Sequence, residues 1–135
     1  MRSITVVSDN RHGVLADISY VLGKSGIDID GLNVDVVGDK AVIAMGFKDA
    51  KRAGEVLEQN GFKTANAEAI IVKGSHNEAL LEIARTLEHG KVRVRRLLTL
   101  CSDTGNYIFA INVDKPRRAF RLLDHYVVNR FSGHS

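Results

Sequence analysis

The stretch Ser8 to Ile18, SDNRHGVLADI, holds the residues best suited to chemistry in this chain. A short polar loop reaches a single glycine and then enters an apolar pattern of helical spacing. The first backbone N–H groups of such a helix have no partner within it, and its dipole favours negative charge at that end, so the junction can seat a small anion. Gly13 lets a ligand approach the backbone, Asn10 offers both an amide donor and a carbonyl acceptor, and Val14 and Leu15 open the helix. An α-amino acid carries a carboxylate and an ammonium close together, which matches helix amides beside a polar acceptor. The competing reading is a plain strand-to-helix turn, for which Asp9, Asn10 and Gly13 are ordinary residues.

Other chemistries find little support. His12, His76, His89, His125 and His134 lack the spacing of a metal site. Cys101 is the single cysteine, so neither an internal disulfide nor a thiolate cluster can form. No serine or cysteine sits in a nucleophile elbow, and there is no glycine-rich phosphate loop. The chain is therefore expected to be no enzyme and to need no cofactor. Charge is uneven: Asp28, Asp30, Asp35 and Asp39 crowd the first half, whereas Arg93, Arg95, Arg96, Lys115, Arg117, Arg118 and Arg121 stand in the second. Such asymmetry steers anions, or it marks two solvated faces that meet each other.

These residues need elements to position them. With 135 residues, 44% hydrophobic and 26% charged, the chain has the size of one ordinary domain or two very small ones. It shows no leader and no apolar run long enough to span a bilayer, so a cytoplasmic protein with no membrane partner is expected. Ser3 to Ser8 reads as a strand. Val14 to Ser25 has apolar residues at helical spacing and a glycine stop at Gly26. GIDIDGLNVDVVG alternates as a strand with a bulge at Gly31, GDK turns, and AVIAMGF returns as the second strand of a hairpin. A helix over 50–60 and a strand over 62–66 complete the order βαββαβ.

The order then repeats. A shift of 65 residues lays Val7 on Val72, Leu15 on Leu80, Ile18 on Ile83, Leu22 on Leu87, Ile27 on Val92, Ile29 on Val94 and Leu32 on Leu97. After the hairpin the shift becomes 66, which puts one extra residue in the second turn and lays Lys51, Arg52, Ala53 and Leu57 on Arg117, Arg118, Ala119 and Leu123. The expected fold class is α+β: two tandem ferredoxin-like βαββαβ units, 1–67 and 68–135, with antiparallel sheets and helices on one face. Units this small leave sheet edges in need of cover, and a homodimer or larger assembly would supply it.

DNRHGVLADISYVLGKSGIDIDGL resembles the opening of the ACT domain, the small-molecule regulatory module of amino-acid metabolism. The resemblance covers the whole chain as two copies, with His12 where the family most often has proline. It implies amino-acid binding by the loop at an interface between two domains, with help from a polar residue at the start of the second strand. The matching residue is Asp28, whose carboxylate would take the ligand's ammonium. The second copy reads as degenerate, with Gly74 where Asp9 stands and Glu78 where Gly13 stands; Glu78 would oppose a carboxylate. Arg93, which matches Asp28, is a candidate to grip a ligand carboxylate from a neighbouring domain.

The functional expectation is a stand-alone tandem ACT protein. It would bind an amino acid or related effector and relay that state to a partner, for which an enzyme of amino-acid metabolism is the candidate. Two alternatives stay open: a transcriptional-regulator-like tandem ACT protein, and an interaction module without a ligand. The strands AVIAMGF and NYIFAIN lack the basic-aromatic signature of an RNA-recognition sheet, and no helix-turn-helix is visible, so nucleic acid is not an expected partner.

Overall fold

The computed structural model describes residues 2–65, 69–74, 77–103 and 105–129. The chain divides into two compact units that part between Ala67 and Glu68.

In the first unit, β1 (Arg2–Asp9), α1 (Val14–Lys24), β2 (Gly31–Val37), β3 (Lys40–Phe47), α2 (Ala50–Gln59) and β4 (Lys63–Ala65) follow in order. The sheet is antiparallel with strand order β2-β3-β1-β4, which is the ferredoxin-like arrangement. Ile4 and Val6 of β1 and Ile43, Met45 and Phe47 of β3 meet Ile18, Leu22, Ala53 and Leu57 from the helices in one buried cluster. Thr5, Val42 and Ala44 lie on the alternate face of the same strands and are buried as well.

The second unit contains β5 (Ile70–Gly74), α3 (Asn77–His89), β6 (Val94–Asp103), β7 (Asn106–Val113) and α4 (Pro116–Leu122), with sheet order β5-β7-β6. Its core joins Ile70, Val72, Phe109 and Ile111 to Ile83, Leu87, Ala119 and Leu123. The place that β4 takes beside β1 is held here by a single bridge, Val72 to Val127. Around it, the Val128 N–H donates to the Ile71 carbonyl at 2.8 Å and the Lys73 N–H to the Tyr126 carbonyl at 2.9 Å. Asn129, buried, accepts from the Ile71 N–H at 3.0 Å and donates to the Ala69 carbonyl at 2.9 Å. The sequence offers a short last strand in VVNRFSGHS, residues 127–135; its described part is the Val127 bridge, and 130–135 lie outside the described residues.

Each helix stop is built from local bonds. At the end of α1 the Ile27 N–H reaches the Leu22 carbonyl and the Gly26 N–H the Gly23 carbonyl, with Gly26 left-handed at φ 69°. The segment from Ile27 to Asp30 is thereby spent on leaving the helix. The expected strand consequently begins only at Gly31, and its register along β3 is unbroken, with no bulge at the glycine. Across the two units, Arg52 Nη2 donates to the Ser25 carbonyl at 2.6 Å and Arg118 Nε to the Gly90 carbonyl at 2.6 Å. Aligned arginines on the second helix of each unit tie down the end of the first, where exposed carbonyls favour a cation.

The repeat register needs two corrections. The core-facing pair Ile4 and Val6 corresponds to Ile70 and Val72, so Val6 and not Val7 lies on Val72. The extra residue of the second unit also lies elsewhere: both hairpins turn in two residues, since Val37 pairs with Lys40 and Asp103 with Asn106. The register slips between Thr99 and Cys101, so Leu100 is the inserted residue, absorbed as a bulge in β6.

Candidate functional site

The loop from Asn10 to Gly13 closes the helix-bearing side of the first unit at the head of α1. The Asn10 N–H donates to the Asp39 carbonyl at 2.9 Å, which anchors the loop to the β2–β3 turn, and the Arg11 N–H donates to the Asp9 carbonyl at 2.8 Å. Gly13 is the N-cap of α1 with φ 82° and ψ 2°, a left-handed conformation that a side chain would strain. Its carbonyl accepts from the Asp17 N–H at 2.9 Å, starting the helix, and no side chain caps the amides that come before. The contrast within the same unit is α2, where Asp49 accepts from the Arg52 N–H at 3.1 Å. The head of α1 is thus left open to another acceptor.

A cleft of about 200 Å³ lies at this helix start. Asn10, His12, Gly13, Val14 and Leu15 line it together, and all five were expected from the sequence. Sequence reasoning missed Arg11, Ala16, Val34, Ala41 and Ile43, which complete the lining. The last three form an apolar wall, with Val34 and Ile43 paired across β2 and β3. Alternation marks them as strand residues, but only the sheet order brings them beside the loop.

Asp9 adjoins the cleft without lining it, engaged by the Lys40 ammonium in an ion pair. That hydrogen bond and charge hold the Asp9 carboxyl below the usual carboxylate range. Arg11 pairs with Asp17 at 2.7 Å, which leaves the rim with balanced charge. Asp28 is placed differently: it follows the C-terminal stop of α1, whereas the cleft is at the N-terminus, roughly 16 Å away along a helix of this length. The structure does not bring it to the loop of its own unit.

Arg93 is exposed at the head of β6, and its N–H donates to Asp114 Oδ1 at 2.9 Å. This bond is the chief reason that the Asp114 carboxyl lies below its ordinary value. Arg93 also lines a groove of about 540 Å³ where α3 ends. Larger volume does not make the groove the better anion seat, because helix carbonyls converge there and Lys115 Nζ is spent on the Lys91 carbonyl at 3.2 Å.

At the corresponding loop of the second unit, the helix starts sooner. Between β5 and α3 lie only residues 75 and 76, and Gly74 ends the strand against the helix: a Cβ there would come 2.6 Å from the Cβ of Ala79. With the corrected register Gly74 stands in the place of Ser8, not Asp9. Glu78 falls in the first turn of α3. Among the described residues no group of histidine, cysteine and carboxylate side chains could hold a metal, and no helix is long and apolar enough to cross a membrane.

No family model matches the chain, and no curated protein matches it. Solved structures do. A protein from Bacteroides thetaiotaomicron aligns over 94% of this chain and 90% of its own at 15% identity and TM-score 0.49. The ligand-free regulatory subunit of aspartate kinase from Thermus thermophilus aligns over 91% and 89% at 17% identity and TM-score 0.43. The small subunit of acetolactate synthase from Thermotoga maritima aligns over 97% and 98% at 12% identity and TM-score 0.41. Element order and strand order give the first unit the ferredoxin-like βαββαβ arrangement, and the second unit repeats that order through α4.

Proposed function

We propose that the protein is a non-catalytic, cytoplasmic regulator that binds an amino acid or similar small metabolite in the α1 cleft and relays its occupancy to a partner. The observation that carries this reading is a helix start with no side-chain cap, opening into a cleft with an apolar wall. A ligand carboxylate would accept from the amides of Val14 and Leu15, its ammonium would be held by the Asn10 side-chain carbonyl, and a short aliphatic side chain would rest on Val34 and Ile43. Gly13 keeps the approach clear, and Asp9 and His12 flank it. Asp28 and Arg93 enter the proposal as groups offered by a neighbouring unit, where one would meet the ammonium and the other the carboxylate. Regulation then follows by linkage: a ligand that prefers one association state shifts the population, and a partner that prefers the same state responds reciprocally.

The test is a thermal-shift screen of the twenty amino acids, with calorimetry on any that stabilise. Asn10→Ala and Leu15→Glu are the informative variants. Leu15 is 39% exposed in the first turn, so a glutamate there suits the helix and sets a carboxylate at the cleft mouth. Both variants are expected to retain the fold and to lose binding at least tenfold. Absence of any stabilising amino acid at millimolar concentration would reduce the loop to a turn and favour an interaction module.

A further inference from the structure

The side of β5 turned away from β7 is closed by residues 126–129, and the closure departs from an ordinary strand at one place. Val72 pairs with Val127 in antiparallel sense, flanked by the Lys73 N–H on the Tyr126 carbonyl and the Val128 N–H on the Ile71 carbonyl. In a regular antiparallel ladder the Ile71 N–H would next bond the Val128 carbonyl, and a further N–H of the incoming strand would reach the Ala69 carbonyl. Both places are taken by one side chain. Asn129 Oδ1 accepts from the Ile71 N–H at 3.0 Å, and Asn129 Nδ2 donates to the Ala69 carbonyl at 2.9 Å. A carboxamide carries an acceptor and a donor on one planar group, as a peptide does, so it completes the ladder where the main chain does not.

The first unit closes the same side of β1 by backbone pairing alone, with Thr5, Val6 and Val7 in register with Ala65, Thr64 and Lys63 of β4. The second unit has one bridge there, and side chains hold both ends of the segment. Asn129 fastens it to β5, and the Tyr126 hydroxyl donates to Glu82 Oε2 of α3 at 2.7 Å. Asn129 is 4% exposed, so loss of its side chain would leave the Ile71 N–H and the Ala69 carbonyl short of a partner. The bonds of β5 to β7 lie on the other side of the strand and do not depend on this segment. We propose that residues 126–129 form a strap that opens and closes against β5 as one piece, with Asn129 as its clasp. Opening uncovers the Ala69 carbonyl and the Ile71 and Lys73 N–H groups, which keeps the closed state in the majority. The inference holds with or without a ligand in the α1 cleft.

Amide hydrogen exchange read by NMR on the whole chain tests this. The Ile71, Lys73 and Val128 N–H groups bond across the strap, whereas the Val72 N–H, between the first two, turns toward β7. In the unaltered chain those three amides are expected to share one protection factor to within about threefold, and to lie about tenfold or more below Val72. Asn129→Leu keeps the volume of the side chain and removes both of its bonds. It is expected to lower protection at all three amides together by about tenfold and to leave Val72 within about threefold. Tyr126→Phe is expected to lower the same three by about two- to fivefold. Unrelated protection factors at the three amides of the unaltered chain would overturn the proposal, whether or not the variants fold. So would a loss at Ile71 alone in Asn129→Leu, which makes Asn129 a local acceptor only, or an equal loss at Val72, which means that the sheet opens and not the strap. No loss in either variant would overturn it as well.

Discussion

Lys91 occupies a backbone position that the ends of α1 and α2 give to glycine. It closes α3 at φ 59°, where Gly26 closes α1 at φ 69° and Gly61 closes α2 at φ 87°. The bonds are the same in kind, with the Val92 N–H on the Leu87 carbonyl and the Lys91 N–H on the Glu88 carbonyl. A left-handed non-glycine residue costs about 1 to 2 kcal/mol, and glycine gives back part of that in unfolded-state entropy. Lys91→Gly is accordingly expected to stabilise the protein by about 0.5 to 1 kcal/mol, and Gly26→Ala to destabilise it by about 1 kcal/mol, both read by urea unfolding. At Asp9, the lowered carboxyl value means that the pair with Lys40 favours the folded state above the ordinary carboxylate range and ceases to do so as pH falls through the folded value. In Lys40→Met the Asp9 carboxyl is expected to titrate closer to its ordinary value, and the stability difference from the unaltered chain to vanish in acid. Carboxyl NMR and unfolding measured between about pH 6 and pH 2 would check both.

Between elements, the decisive difference is how each unit joins its first strand to its first helix. The first unit spends Asn10 to Gly13 on the connection and leaves a cleft, whereas in the second α3 begins sooner and Ala79 packs on the end of β5. Space for a side chain at Gly74 is therefore absent. Gly74→Ala is expected to cost about 1 to 3 kcal/mol by overpacking, while Ser8→Ala at the equivalent place in the first unit stays within about 0.5 kcal/mol. Chemical denaturation of the two variants would show the contrast. An equal cost at both positions would mean that the corrected register does not describe the two junctions.

For the molecule as a whole, the cleft at the head of α1 and the earlier start of α3 translate into stoichiometry. Calorimetry with a binding amino acid is expected to give one ligand per chain, not two. Ligand at about a hundred times its dissociation constant should then add roughly 2.7 kcal/mol to stability, a gain that Leu15→Glu cuts by about half or more. Two ligands per chain would assign a site to the second unit as well.

Features governed by bonds between near neighbours were legible in the sequence. The stop at Gly26 depends on carbonyls three and five residues back, the two-residue turn at Gly38 and Asp39 on one glycine with φ 61°, and the helical stripe with Ile18 and Leu22 on periodicity. Asn10 and His12 to Leu15 could be named from the sequence because they lie in one short stretch, although Arg11 within it was passed over. Long-range pairing decided the rest. Val34, Ala41 and Ile43 join the cleft because β2 and β3 are ordered beside the loop, and Asp28 is kept from it by the length of α1. Val6 lies on Val72, and Leu100 is a bulge and not a turn insertion, because facing strands set which residues point into the core. A one-residue offset costs nothing in local sequence but inverts a strand's faces, so only the packed sheet could place it.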